Sequence, residues 1–388
     1  DTATLNQLIV EAYATFDHPE VVGWHALNNV TVVELFHGPT LAFKDVALQL
    51  LGRLFEHVLA ARDQRLNILG ATSGDTGGAA IAGVRGQDNV DIFILYPQGR
   101  VSPLQELQMT TVADRNVHCI AVNGTFDDCQ RLMKETFSDL DYKEKYQLGA
   151  VNSVNWARVL AQIVYYGYAS LKMPAAAQFS VPTGNFGNVF AAYLAQRMGF
   201  PIDKLIVATN DNDILARFFL TGEYAVGQVH QTLAPAMDIQ VASNFERFLY
   251  YYFEQDGQRL NAFMSDFAAT GRATLGAAPD AALFEAVAID QAQTLSVMRI
   301  IKEQFDYVLD PHTAIGVAAA QRVSTRGEPV LCIATAHPAK FPEAVKEATD
   351  TVPTHPTLDG LSGLPQRKNM LDADLTAVKA FLAESVVA

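Results

Sequence analysis

Short apolar runs alternate with longer stretches of helical periodicity along most of the chain. Each run has four or five residues and is rich in Ile, Leu and Val, as expected of strands buried on both faces. The clearest runs are residues 66–69, 91–95, 118–122, 205–208 and 331–334. Strands of this kind separated by helices predict an α/β protein whose mostly parallel sheets are flanked by helices.

Polar loops follow two of these runs directly. Residues 66–69 lead into Ala71-Thr-Ser-Gly-Asp-Thr-Gly-Gly78, and residues 331–334 lead into Thr335-Ala-His-Pro338. Because parallel sheets place ligand-binding loops at the carboxyl ends of their strands, we expect both loops to carry chemistry. The run Asp310-Pro-His-Thr313, in contrast, is typical of a helix start.

Composition narrows the class of protein. With 388 residues and 49% hydrophobic content, the chain can bury a large core and is expected to form two domains or lobes. Its net charge of −14 opposes nonspecific contact with nucleic acid or anionic membranes, so we expect neither as a partner. No apolar stretch is long and pure enough to span a bilayer, and no targeting segment is visible at the start.

Cysteine and histidine spacing gives no sign of a metal site. Cys119, Cys129 and Cys332 lack metal-ligand spacing and are odd in number, which predicts a reducing cytoplasm and no disulfide framework. His37, His312 and His337 also lack ligand spacing, and we expect them to stabilise turns.

A lysine motif and a glycine-rich loop together predict a pyridoxal phosphate (PLP) enzyme. Lys44 lies in His37-Gly-Pro-Thr-Leu-Ala-Phe-Lys-Asp45, and an apolar setting makes a lysine amine available for a Schiff base with an aldehyde. Far downstream, Pro182-Thr-Gly-Asn-Phe-Gly-Asn188 stands between a strand-like run and a helical stretch, where backbone N–H groups can surround a phosphate. The loop lacks the G-x-G-x-x-G spacing of dinucleotide folds and the Gly-Lys-Ser/Thr of a P-loop.

Six ordered motifs resemble those of threonine synthases, a family in the fold-type-II group of PLP enzymes related to tryptophan synthase β subunits. They are residues 35–45, 71–77, 95–97 with 100–105, 152–155, 184–188 and 335–341. The resemblance covers most of the chain. It implies a two-lobed fold-type-II architecture and a reaction, the last step of threonine biosynthesis, that converts O-phospho-L-homoserine and water into L-threonine and phosphate.

The resemblance also implies roles for individual residues. Lys44 would form the Schiff base and act as the catalytic base, and Thr335 would meet the pyridine nitrogen of PLP. The remaining roles fall to three sets: Gly184, Asn185, Phe186, Gly187 and Asn188 for the cofactor phosphate; Ser73, Gly74, Asp75 and Thr76 for the substrate carboxylate; and Ser153, Asn155 and Arg158 for the substrate phosphate.

Several of these positions also have a plainer interpretation. Thr335 follows a buried strand and suits an ordinary capping hydroxyl, and Arg158 suits a solvated position at the start of an N-capped helix. Asp75 departs from the asparagine common in related lyases, so it either tunes local charge or caps a helix. Arg100 and Lys340 are weaker candidates for positive charge near the site and equally suit surface cations.

The resemblance sets expectations for the domains. Residues 1–55 and 173–388 are expected to form the large PLP-binding domain, and residues 56–172 the smaller α/β domain with the substrate loop. Residues 173–178 look like a crossover between the two, and a final helical stretch is expected after a tail that wraps the surface. Family members usually begin with a further segment that carries a Tyr-x-Ser-Thr-Arg-Gly-like run, so part of the lid of the site is expected to be absent. Residues 324–327 copy some of these letters, but we do not transfer that role to them.

Two other functions are compatible with the same cofactor motifs. One is another PLP β/γ-lyase or an amino-acid dehydratase, because the lysine and the phosphate loop define the cofactor better than the substrate. The other is a catalytically silent PLP-binding paralogue. The sequence leaves the oligomeric state open.

Overall fold

The computed structural model describes residues 1–324 and 330–386, so residues 325–327 of the Ser-Thr-Arg-Gly run lie outside it. The chain divides into two compact units. Residues 1–17, 38–155 and 354–388 form unit 1, and residues 18–37 and 156–353 form unit 2.

Unit 1 is built on a parallel sheet whose strands follow the order β13-β5-β4-β3-β6. The central strand β4 is buried along its whole length, as its continuous apolar sequence predicts for a sheet covered on both faces. Its elements, labelled in chain order, are α1 (Thr2–Tyr13), α2 (Lys44–Arg62), β3 (Leu66–Ala71), α3 (Asp75–Val84), β4 (Val90–Pro97), α4 (Pro103–Thr110), β5 (Val117–Asn123), α5 (Phe126–Ser138), α6 (Leu140–Lys145), β6 (Leu148–Gly149), α15 (Pro356–Asp359), β13 (Asn369–Asp372) and α16 (Leu375–Ser385).

Unit 2 contains a sheet in the order β1-β2-β12-β7-β8-β11, in which β1 and β2 form an antiparallel hairpin and the other neighbours are parallel. A short antiparallel pair, β9 with β10, lies apart from it. Its elements are β1 (Gly23–Leu27), β2 (Val30–Glu34), α7 (Trp156–Leu171), β7 (Ala177–Pro182), α8 (Gly187–Arg197), β8 (Ile202–Thr209), α9 (Ile214–Thr221), β9 (Glu223–Ala225), α10 (Phe245–Tyr252), α11 (Gly257–Thr270), β10 (Arg272–Thr274), β11 (Phe284–Ala288), α12 (Gln291–Phe305), α13 (Pro311–Val323), β12 (Val330–Ala334) and α14 (Pro342–Thr349), with 3₁₀ turns at Pro235–Met237 and Pro338–Lys340.

The predicted fold class and strands are confirmed. The five apolar runs lie within β3, β4, β5, β8 and β12, and the two polar loops follow β3 and β12. Asp310 caps α13, as its motif predicts, and the last helical stretch forms α16. No helix in the described ranges is long and apolar enough to cross a membrane.

The sequence predicts domain boundaries at 55/56 and 172/173. The two units instead divide the chain at 17/18, 37/38, 155/156 and 353/354. Residues 38–55 belong to unit 1 because α2 packs closely on α3: a Cβ at Gly52 would come within 1.8 Å of the Gly83 carbonyl oxygen. The tail belongs to unit 1 because β13 pairs with β5. Residues 173–178 lie inside unit 2, where they connect α7 to β7.

The tail is part of the hydrophobic core of unit 1, which generates a first prediction. Leu382 of α16 is fully buried in a cluster with Leu132 and Phe93. We expect Leu382→Ala to lower the free energy of unfolding by about 2–5 kcal/mol, because it removes buried methyl groups and leaves a cavity. Urea unfolding followed by circular dichroism measures this change. Leu364→Ala, at a tail residue that is 46% exposed, is the matched control. Equal effects of the two substitutions would contradict a structural role for the tail.

Candidate active site

Lys44 is the first residue of α2 and is largely shielded from solvent. Its side chain is 12% exposed, and its Nζ lies 4.9 Å from the centre of the Phe43 ring. Its Nζ also lies 3.8 Å from Oδ2 of Asp75. The sequence alone suggested an apolar setting, but the structure places a carboxylate beside the amine.

The turn before Lys44 is fixed by the neighbouring carboxylate. The backbone N–H and the hydroxyl of Thr40 donate to Asp45 at 2.8 and 2.6 Å, and Asp45 is fully buried. Gln108 donates to the Thr40 carbonyl at 3.2 Å. Gly38 must lack a side chain, because a Cβ there would come within 2.4 Å of Cβ of Asp45. Asp45 thus sets the position from which Lys44 projects.

The predicted carboxylate loop is organised by Thr72. Its Oγ1 accepts from the N–H groups of Gly74 and Gly77, both at 3.0 Å. The N-cap position of α3 is Gly74, whose φ of +151° favours glycine. Ser73 is exposed and Thr76 half-buried, so both are accessible to a ligand.

Gln105 of α4 holds Asp75 in place beside Lys44. Its Nε2 donates to Oδ1 of Asp75 at 2.8 Å, and Oδ2 faces Lys44. A Cβ at Gly74 would come within 2.2 Å of the Gln105 amide oxygen, so the glycine makes room for this contact. Asp75 opens α3 but does not cap it with its side chain. The capping interpretation of Asp75 is therefore wrong, and the carboxylate points to Lys44 and Gln105.

The predicted phosphate loop leads from β7 into α8. Its three residues before the helix, 184–186, each contact a neighbouring segment. Gly184 packs against Ala236, whose carbonyl oxygen would be 2.7 Å from a Cβ at Gly184. The Asn185 carbonyl accepts from the backbone N–H and the side chain of Asn244 at 3.1 and 3.3 Å. Phe186 has a φ of +62° and is fully buried among three rings, those of Phe219, Phe245 and Phe248, with centres 5.6–5.9 Å away.

Asn188 presents a polar atom that has no partner in the described chain. Its Oδ1 accepts from the hydroxyls of Tyr165 and Tyr166, the second at 2.8 Å, whereas its buried Nδ2 lacks a hydrogen-bond partner among the described residues. Burial raises the pKa of both phenols well above 10, so they remain donors. In this arrangement Oδ1 receives both phenols, and Nδ2 is directed away from them.

These residues fit the phosphate of PLP. The first N–H groups of α8 have no acceptor within the helix, a Cβ-free glycine lets the backbone approach closely, and the Nδ2 of Asn188 adds an oriented donor. A phosphate is the kind of group that could accept from such donors.

Thr335 and the phosphate loop leave the sheet at the same edge. Thr335 follows β12, which runs parallel to and beside β7, and it is 8% exposed. The turn after it is stabilised by His337, whose Nδ1 accepts from the Ala339 N–H at 3.1 Å, as expected of this histidine. Lys340 is buried at 3% exposure, so its interpretation as a surface cation is wrong.

The proposed substrate-phosphate residues fall on either side of the boundary between the units. Arg158, on the first turn of α7 in unit 2, is 3% exposed, so its interpretation as a solvated residue is wrong. Burial lowers the pKa of its guanidinium to about 10, while Tyr165 nearby acts in the opposite direction, and the group stays cationic at neutral pH. Ser153 and Asn155 lie in a turn of unit 1, in which the Asn155 side chain donates to the Ala150 carbonyl at 3.4 Å.

The sequence missed the residues that hold the site residues in place. Asp45, Thr72, Gln105, Tyr165 and Tyr166 each bond to a candidate residue or its loop. Asp45, Thr72 and Gln105 lie inside the six motifs, which is a signal that could have found them. Nothing local marks Tyr165 or Tyr166, because a tyrosine on an apolar helix is typical of a core residue.

Comparisons with known proteins agree with this geometry. The family model "Pyridoxal-phosphate dependent enzyme" matches residues 25–336, and "Threonine synthase, C-terminal" matches residues 313–382. The threonine synthase of Pseudomonas aeruginosa is 46% identical over 98% of this chain and 84% of its own length, and that of Schizosaccharomyces pombe is 46% identical over 89% and 75%.

Solved structures give the same result. The crystal structure of PLP-bound threonine synthase from Brucella melitensis superposes with a TM-score of 0.96 at 45% identity, over 100% of this chain and 85% of that one. The chain therefore belongs to the threonine synthase family of pyridoxal-phosphate-dependent enzymes, of fold type II.

Proposed function

We propose that this protein binds PLP and converts O-phospho-L-homoserine and water into L-threonine and phosphate. Its near full-length similarity to threonine synthases carries the reaction type. The buried cation Arg158 supports a phosphorylated substrate, because it can pair with a side-chain phosphate. An amino acid such as serine has no anionic group besides its carboxylate.

Lys44 is the proposed attachment point and base. When bound, PLP supplies the electron sink that lets an amino acid lose its Cα proton. The amine of Lys44, once freed by the incoming substrate, takes that proton. A second proton then leaves Cβ and phosphate leaves Cγ. One proton is returned to Cγ, water adds its oxygen at Cβ and gives its proton to the departed phosphate, and Lys44 returns a proton to Cα, so that both protons removed are replaced. Asp75 is held by Gln105, and it orients the Lys44 amine through the 3.8 Å contact between its Oδ2 and the Lys44 Nζ.

The other residues bind and orient. Residues 184–188 hold the cofactor phosphate, and Thr335 meets the ring nitrogen as a neutral hydroxyl. The N-terminus of α3 with Ser73, Gly74 and Thr76 receives the substrate carboxylate. Arg158 is the proposed ligand of the substrate phosphate, and Ser153 and Asn155 are the further candidates for that role. This assignment places the phosphate loop in the larger unit and the substrate loop in the smaller one. The three free, buried cysteines support a reducing, cytoplasmic location.

The direct test is an assay of both products. We expect PLP-loaded protein to show a visible absorption band that shifts when O-phospho-L-homoserine is added, with phosphate and threonine released in equal amounts. Lys44→Ala, which removes the attachment point and the base, should lose both the band and turnover. Phosphate without threonine would mean elimination without water addition, and would favour a sister lyase. A band that does not respond to the substrate would favour a silent paralogue.

Removing the buried guanidinium should affect the phosphorylated substrate selectively. We expect Arg158→Ala to lower kcat/KM for O-phospho-L-homoserine roughly 10- to 100-fold, through lost charge-assisted hydrogen bonds worth about 1.5–3 kcal/mol. Turnover of serine, which carries no phosphate, should change much less, and Arg158→Lys should recover part of the loss. Arg322→Ala, at an exposed arginine of the same unit, is the control. Equal losses on both substrates would reject the assignment.

The orientation of the Asn188 amide generates a separate prediction. Asn188→Asp keeps the oxygen that accepts from Tyr165 and Tyr166 but replaces the Nδ2 donor by an oxygen that repels phosphate. We expect PLP to bind at least tenfold more weakly, as measured by loss of the visible band on dilution. Asn261→Asp, which adds the same charge at an exposed position of unit 2, should have no effect. Unchanged PLP affinity in Asn188→Asp would remove residues 184–188 from the proposed site.

A further inference from the structure

His312 makes contacts that its expected role as a turn-stabilising residue does not explain. It is 4% exposed and stands on the first turn of α13. Its ring reaches three separate segments of unit 2, which are Asp310, the 3₁₀ turn Pro235–Met237 and Phe341.

The hydrogen bonds of the ring fix its tautomer. Oδ1 of Asp310 lies 2.9 Å from Nδ1 of His312 and also accepts the His312 backbone N–H at 2.9 Å. Since a carboxylate only accepts, Nδ1 carries the hydrogen. Nε2 is then the acceptor, and it receives the Ala236 N–H at 3.4 Å. A hydrogen on Nε2 would face that N–H directly.

The turn that His312 holds is the one on which the phosphate loop rests. The Ala236 carbonyl and Cα of Met237 would lie 2.7 and 3.1 Å from a Cβ at Gly184. This turn is already bonded at its ends, where Thr232 and Ala234 accept from backbone N–H groups. His312 reaches its middle residue, Ala236: the ring meets the N–H of this residue, and Gly184 packs on its carbonyl oxygen.

The third contact leads to the other predicted cofactor segment. The His312 ring is 4.8 Å from the ring of Phe341, at an angle of 56°. Phe341 ends the run 335–341 that begins with Thr335. The His312 imidazole thus contacts the turn that packs on the phosphate loop. It also contacts the end of the segment that begins with Thr335, the proposed partner of the PLP ring nitrogen.

We propose that His312 is a positioning residue for PLP. Its ring holds the phosphate loop and the Thr335 segment at the distance that separates the phosphate of the cofactor from its ring nitrogen. Asp310 orients the imidazole, and the imidazole orients Ala236 and Phe341. This inference rests on the proposed role of residues 184–188.

Two substitutions separate the two hydrogen bonds of the ring. In His312→Asn the amide nitrogen takes the place of Nδ1 and keeps the bond to Asp310, but no atom remains to accept from Ala236. In His312→Gln the amide oxygen takes the place of Nε2 and keeps the Ala236 bond, whereas the bond to Asp310 is lost. Each variant loses one hydrogen bond of the ring, so both should lose similar thermal stability.

PLP binding should distinguish the variants. PLP release from the holoenzyme is measured by the loss of the visible band in the presence of a scavenger of free PLP. We expect the dissociation constant of PLP to be about five- to tenfold higher in His312→Asn, which corresponds to the loss of about one hydrogen bond. His312→Gln should stay within about twofold of the unsubstituted protein. The ³¹P resonance of the bound cofactor should shift in His312→Asn only. His118→Asn, at a histidine beside Asp91 in unit 1, is the matched control and should leave PLP binding unchanged.

Equal PLP affinity of His312→Asn and the unsubstituted protein would overturn the proposal, as would losses that follow thermal stability in both variants. If His312→Asn does not fold, a loss of PLP affinity in His312→Gln as large as in Asn188→Asp would overturn it as well. Asn188→Asp separates this failure from that of the proposed function. Unchanged binding there rejects the role of the phosphate loop, whereas weakened binding there with unchanged binding in His312→Asn rejects the role of His312 alone.

Discussion

The amide of Asn188 is held by two phenols, which donate to its Oδ1 while its Nδ2 is directed away from them. Tyr165 and Tyr166 are consecutive on α7, and both donate to the same Oδ1. Burial raises the pKa of both phenols well above 10, so both keep the hydrogens that they donate to Oδ1. Donors oriented before an anion arrives need no rearrangement on binding. This matters in a chain of net charge −14, whose overall field opposes anions and which must attract a phosphate by local dipoles.

The two units fix their loops by different means. In unit 2, Phe186 takes a left-handed conformation, which costs a non-glycine residue roughly 1–3 kcal/mol. The ring is fully buried among Phe219, Phe245 and Phe248, and aromatic burial offsets that cost. In unit 1 the loops are held by polar side chains, with Asp45 closing the turn before Lys44 and Thr72 gathering the N–H groups of the next loop.

Sequence reasoning succeeded where the signal is local. Strands such as residues 91–95 show themselves by a continuous apolar run, and the loops after β3 and β12 by the glycines and hydroxyls that end the run. It missed contacts between distant positions. Gln105 is 30 residues from Asp75, and His312 is 76 residues from Ala236, so the fold alone decides which glutamine or histidine meets them. The two compact units also divide the chain at other positions than the sequence suggested, since the packing of Gly52 on Gly83 is not visible in either helix alone.

Arg158 shows how far periodicity can mislead and why the exception points to function. On α7, Leu160 and Val164 are 53% and 66% exposed while Arg158 is buried, so these three positions depart from the pattern of an ordinary amphipathic helix. A sequence reader assigns the arginine to solvent and the leucine to the core. Burying a guanidinium is unfavourable, and an apolar residue of similar volume would stabilise such a position as well or better. With its pKa near 10 the group nevertheless stays charged at neutral pH. A buried ionisable group whose pKa is shifted by its surroundings is a candidate for a functional site, and the proposed role of Arg158 in binding the substrate phosphate agrees with that expectation.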